Sequence, residues 1–389
     1  MAKKKKIAIS IFLIAFISGL NVTGIVPVLG ILNSKYETQA TEGIQILQTL
    51  PYVLIMIGSL LVGFFATKLS IKNIATIGLI IVGICGVLPF FYEGYLLLLI
   101  SRFLIGFGFG VISPLNTAIV AEFFKPEERT GYFGLNVIGM CVGNIFGNLL
   151  GGFLANIGYR YFYLVYLSAF ISMIGIRAMF PVTTLSRDVK RESLRLKKNV
   201  FLISAVSCFY ILFITTNSTN IAIYIMEKYT ASTTVTGIVT AINAAFALIV
   251  GASFRKISDI LKQHTLPTAI VMTIIGYSAI LWFPGLIGVY VGSACCGISQ
   301  SCFMARCAYM ISVSVEPEAA AKASGIFSVF SGVASLTSPI LVGGMAERIL
   351  GSSNTGNQYL VSLLGMTLLA MIVVITAVKS DILGRKTNY

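Results

Sequence analysis

Twelve apolar stretches alternate with short polar connectors along the 389-residue chain. They fall at about 7–31, 43–67, 74–92, 95–121, 131–155, 161–181, 200–226, 234–254, 265–283, 287–313, 323–346 and 358–378. A helix needs about 20 apolar residues to cross a bilayer. The pattern predicts an all-α membrane protein with twelve transmembrane helices. Polar residues interrupt some stretches: Asn21, Thr23 and Pro27 in the first, Gln48 and Pro51 in the second. The eleventh carries Ser331, Ser335, Thr337, Ser338 and Pro339, a polar middle at which the helix is breakable.

Composition agrees: 57% of residues are apolar and 11% charged, with a mean hydropathy of +0.91. Such a chain is not a soluble globule. The Met-Ala-Lys-Lys-Lys-Lys start ahead of Ile7–Leu20 has the outline of a secretory signal. No small-x-small cleavage site follows and apolarity continues to Leu32, so this is read as the first spanning helix.

The net charge of +14 raises nucleic acid as a partner until its distribution is considered. Of the 28 Lys and Arg, 22 fall on one side of the twelve-helix topology. Lys35, Arg160, Lys228 and Arg348 fall on the other, and Arg102 and Arg306 within the spans. The positive-inside rule then places both termini in the cytoplasm, in a plasma membrane, with the lipid bilayer rather than nucleic acid as the partner. Residues 182–199 form a basic cytosolic linker suited to lie near anionic headgroups.

Chemistry-bearing residues are sparse. All seven cysteines lie inside apolar runs without zinc spacing, and the single histidine, His264, lies in a connector. No metal site or cofactor is expected. No Gly-x-x-x-x-Gly-Lys-[Ser/Thr] loop occurs, which argues against ATP as the driving force.

The stretch from Leu99 to Leu154 carries the most specific signal. Arg102 is followed by Gly106, Gly108 and Gly110, then by Pro126-Glu-Glu-Arg129 and a ladder of Gly139, Gly143, Gly147, Gly151 and Gly152. Glycines at such spacing let helix backbones approach closely in lipid. An arginine within a span costs about 2.5–3.5 kcal/mol on insertion scales, so it needs a partner or a wet cavity. This stretch resembles the major facilitator superfamily, and within it the twelve-helix drug:proton antiporter branch. The resemblance implies two pseudo-symmetric six-helix bundles and alternating access, with Gly106, Gly110, Gly143, Gly147 and Gly151 as packing glycines. It also implies cytosolic gate motifs at Gly63, Lys68, Glu122 and Arg129, with Gly251 and Lys256 in the second half. The sequence departs from the family pattern where Thr67 replaces the gate aspartate, Ser70 a glycine, and Asn148 the antiporter proline.

The two halves look duplicated. Asn21-x-Thr23-x-Ile25 recurs as Asn217-x-Thr219-x-Ile221, Gly63-x-x-x-x-Lys68 as Gly251-x-x-x-x-Lys256, and Pro126-Glu127 as Pro317-Glu318. The offsets are 196, 188 and 191 residues. The expected domains are an N-terminal bundle, 1–181, the linker, 182–199, and a C-terminal bundle, 200–389.

Transporters built this way bind substrate near the bilayer midplane, between repeats. The polar residues at that depth are Asn21, Asn144, Asn217, Asn220, Asn243 and Gln300, joined by Arg102 and Arg306 as cavity candidates. Each amide serves equally well as an interhelical hydrogen bond. Arg102 is expected to bond Asn21 or a backbone carbonyl, and Arg306 can snorkel to the surface. All 14 carboxylates fall in connectors or at helix ends. A cavity with fixed positive charge and no acid repels cations at low dielectric. The expectation is therefore a monomeric secondary active or facilitative transporter of a small neutral or anionic organic solute, with a proton or counter-solute open as its coupling partner. Multidrug efflux of amphipathic compounds, lipid flipping, and a non-transporting receptor or scaffold are the alternatives. An enzyme is disfavoured, since the spans hold no histidine, paired acids or metal cluster.

Overall fold

The computed structural model describes residues 2–23, 25–37, 39–65, 69–124, 126–181, 198–314 and 320–379. The first span comprises α1 (Ala2–Thr23) and α2 (Val26–Lys35), and the second α3 (Thr41–Thr49) and α4 (Pro51–Phe65). Then come α5 (Ile71–Phe91), α6 (Tyr95–Phe123), α7 (Pro126–Ile157), and a 3-10 helix, Tyr159–Leu167, that runs into α8 (Ser168–Met179). The remaining six are α9 (Lys198–Tyr229), α10 (Thr233–Leu261), α11 (Thr265–Trp282), α12 (Gly285–Ser314), α13 (Ala320–Leu350) and α14 (Thr355–Lys379). Among the described residues, eleven helical stretches are long and apolar enough to cross a membrane. The second span is split into helices of 9 and 15 residues. The all-α, twelve-helix membrane architecture expected from the pattern is the one observed.

Two expected continuous helices are interrupted, and proline is the physical reason. Pro27 lacks an N–H and its ring would clash with the carbonyl four residues back, so α2 restarts with proline in its first turn. Pro51 restarts α4 in the same way after Leu50. Each break frees backbone groups that lipid cannot satisfy. The Ile25 N–H is taken by the Gln48 side-chain carbonyl at 2.9 Å. The eleventh helix, with its polar, breakable middle, is continuous. There α13 runs unbroken through Pro339. The neighbouring Ser338 hydroxyl spends its bond on the Leu212 carbonyl of α9 at 2.6 Å.

Ser70, which departs from the family glycine, caps α5. Its hydroxyl accepts from the Asn73 N–H at 3.3 Å.

The chain divides into two compact units. Unit 1 gathers Met1–Gln39, Ile46–Arg191 and Ala231–Ala241. Its helices meet backbone to backbone through glycine: α1 packs on α7, and α4 and α5 pack on α6. A Cβ placed on Gly110 would lie 2.6 Å from the Ile55 carbonyl oxygen, and one on Gly139 would lie 2.7 Å from the Ala15 side chain. Gly106 and Gly143 abut the Pro51 and Phe16 carbonyls more closely still. Unit 2 gathers Ala40–Gln45, Glu192–Thr230 and Ile242–Tyr389. It packs α11 on α12, α13 and α14 on α9, and α14 on α11.

Candidate functional site

In unit 1 the distinctive residue is Arg102, about two turns into α6 and 1% exposed. Its Nη1 donates to the Tyr166 hydroxyl at 3.0 Å. The guanidinium carbon sits 5.3 Å from the Tyr166 ring centre and 5.7 Å from that of Tyr163. Both tyrosines belong to the 3-10 helix, whose three-residue turn superposes side chains i and i+3 on one face. The partner is thus a tyrosine hydroxyl rather than the expected Asn21 or backbone carbonyl. Asn21 is half-buried on α1. Asn144 of α7 accepts from the Asn148 amide at 2.5 Å. A second amide pair, not singled out by the sequence reading, joins Asn116 of α6 to Asn136 of α7 at 2.5 Å. Asn116 also donates to the Ile11 carbonyl of α1 at 3.2 Å.

An ionic cluster closes one end of unit 1. Glu93, on the connector after α5, lies 3.1 Å from the Lys35 ammonium and 3.6 Å from Arg160. It also accepts from the Tyr159 hydroxyl at 2.9 Å. Arg160 donates further to the Phe90 and Phe91 carbonyls, at 2.9 and 2.7 Å, and so caps the C-terminus of α5. The Tyr159 hydroxyl bond, then the Lys35 ammonium, hold the Glu93 carboxyl below the ordinary carboxylate value.

Unit 2 holds a buried amide triad. The Gln45 amide donates to Asn220 and, at 2.9 Å, to Gln358. Asn220 donates to the same Gln358 oxygen at 3.0 Å, and Gln358 donates to the Ser353 carbonyl at 2.8 Å. Of these, only Asn220 was among the expected cavity residues. The available signal was a glutamine in each of two apolar stretches. Asn217 is buried and accepts from Tyr359 at 3.4 Å. Tyr359 packs edge-on against Tyr277 and Tyr224, with ring centres 5.2 and 5.5 Å away. Asn243 donates to the Ser293 carbonyl at 3.0 Å, joining α10 to α12.

The other candidates lie apart from these clusters. Gln300 is exposed on α12, and Arg306 is half-buried with its guanidinium 5.3 Å from the Tyr309 ring centre. Gly251 faces the Ser301 hydroxyl across the α10–α12 contact, and Lys256 is exposed. Gly63 lies on α4, Glu122 in the last turn of α6 and Arg129 in the first turn of α7. Lys68, Pro317 and most of the 182–199 linker lie outside the described residues. Gly147 is buried in α7, and Gly151 abuts the Phe162 ring. Among the described residues, no cluster of three or more His, Cys, Asp or Glu is placed to hold a metal.

The chain is similar to AraJ of Escherichia coli (strain K12), with 26% identity over 143 residues. That match spans 36% of this chain and about a third of the relative, 34% of its length. Three solved structures share the fold. A bacterial homolog of the human lysosomal transporter Spinster, inward-facing and occupied, aligns at a TM-score of 0.79 with 14% identity, over 100% of both chains. The POT-family transporter PepTSo aligns at 0.76 with 11% identity, over 96% of this chain and 98% of that one. The nucleoside transporter NupG aligns at 0.75 with 12% identity, over 95% and 98%. The sequence pattern of the Major Facilitator Superfamily matches residues 11–339 and again 202–387. The chain belongs to the Major Facilitator Superfamily and is a multi-pass membrane transporter, not an enzyme.

Proposed function

We propose that this secondary transporter moves a small organic solute that is neutral or anionic, by alternating access of two six-helix halves joined at 182–199. The placement of ionisable residues carries the reading. Among the described residues, every carboxylate sits in a connector or within about one turn of a helix end, as with Glu93, Glu227 and Glu347. Arg102 and Arg306 lie about two turns or more inside α6 and α12. A cationic solute would therefore meet no fixed counter-charge at membrane depth, where an unpaired charge is expensive. Amides such as Asn217 and Asn243 offer donors and acceptors without charge. The Lys and Arg distribution supports cytoplasmic termini and a plasma-membrane location.

Flux into proteoliposomes tests the reading. Neutral, anionic and cationic organic solutes are compared at fixed chloride and fixed pH. Saturable uptake of a neutral or anionic solute is the expected result. Saturable uptake confined to bulky cations would overturn it and put multidrug efflux first, a direction that the glycine ladder of α7 also accommodates.

A further inference from the structure

We infer that Arg102 and Tyr163 form a buried site for one small inorganic anion of the halide class. Arg102 and Tyr163 are 1% and 0% exposed. Arginine carries five N–H donors and no acceptor. Arg102 spends one bond on Tyr166, while its Nε and Nη2 have no hydrogen-bond partner, and neither does the Tyr163 hydroxyl. Three donor groups without partners thus belong to two buried side chains whose guanidinium carbon and ring centre are 5.7 Å apart, together with one full positive charge. Glu93, on the connector that leads into α6, is already taken by Lys35, Arg160 and Tyr159.

The unmet requirements select the ligand. Leaving a buried guanidinium without a counter-charge costs several kcal/mol, on the order of the penalty for any desolvated ion. A water molecule has two lone pairs for three donors and supplies no charge. A monatomic anion accepts from all three and neutralises the arginine. Full burial of both side chains favours a ligand of about the size of one water over an organic anion. Rings of Tyr163 and Tyr166 flank the guanidinium, so the anion has only the Nε and Nη2 edge to occupy.

The site does not depend on the cargo reading, which stands on the placement of carboxylates. The test therefore uses no organic solute. Thermal unfolding of the purified protein is followed while sodium bromide replaces sodium sulfate, whose anion is larger than one water, at constant ionic strength. The expected result is a saturable rise in unfolding temperature with bromide. Tyr163→Phe, which removes one donor and keeps the ring, should weaken the half-saturating bromide concentration about tenfold, the factor carried by one hydrogen bond of about 1.4 kcal/mol. Arg102→Gln should abolish the dependence. Crystals grown in bromide should show an anomalous peak within hydrogen-bond distance of Arg102 Nε and the Tyr163 hydroxyl. An equal rise in sulfate, an unchanged half-saturation in Tyr163→Phe, or a peak-free guanidinium edge would each overturn the assignment.

Discussion

The Gln48 side-chain carbonyl accepts the backbone N–H of Ile25 at 2.9 Å, in the buried interior of unit 1. One glutamine thus satisfies a backbone donor at a helix break that Pro27 imposes. Replacing Gln48 by leucine keeps the bulk and orphans the N–H. The loss should be about 1–3 kcal/mol, read as a lowered unfolding temperature in detergent. Gln48→Glu retains an acceptor and should recover part of it. An unchanged unfolding temperature in Gln48→Leu would show that another group satisfies Ile25.

Glycine substitutions should sort by what a Cβ meets. Gly110→Ala places the methyl against the Ile55 backbone, at 2.6 Å from its carbonyl oxygen, which cannot give way without moving α4. A destabilisation of about 1–3 kcal/mol follows from such overpacking. Gly134→Ala, with nothing within 4 Å, should be neutral or slightly stabilising. Equal stability of the two variants would contradict the close α4–α6 approach.

Glu93 sets a pH window. Its carboxyl is held below its ordinary value of 4.5, so its ion pairs contribute stability that is fully present above that pH. The contribution is lost as pH falls through the lowered value. Wild type should exceed Glu93→Gln in unfolding temperature at pH 7, and the gap should close as the pH falls well below 4.5. A gap that does not narrow at all as the pH is lowered would assign the effect to packing. The cluster is exposed to solvent, so salt should shrink the gap.

The amide triad should behave as a unit. Asn220→Leu and Gln358→Leu each leave buried partners unpaired in unit 2. The double variant should cost less than the two single losses together, by about 0.5–3 kcal/mol of coupling. Strict additivity in thermal unfolding would mean that the amides act independently.

Much of this molecule was readable from residue order. Helix number and type followed from apolar run length, because lipid leaves a chain few other structures. The glycine ladder pointed to where backbones meet, at Gly106, Gly110 and Gly143. Arg102 stood out because a guanidinium at membrane depth is costly. Its partner did not, since Tyr166 lies 64 positions away in sequence on another span. Gln45 and Gln358 were equally opaque, 313 positions apart in sequence. Pro339 left open whether the eleventh helix breaks, because a proline in lipid is tolerated within a helix where neighbouring groups satisfy the freed backbone.

The change of winding in the sixth span has a mechanical consequence. The 3-10 segment Tyr159–Leu167 has nine residues, which at about 2.0 Å each rather than 1.5 Å reach about 4.5 Å further than an α-helix would. The sixth span, 21 residues from Tyr159 to Met179, is therefore a stretched element that covers the thickness of a longer one. The reach of this span, and with it the depth of Tyr163 and Tyr166 beside Arg102, is thus set by the winding of the 3-10 segment as well as by residue count.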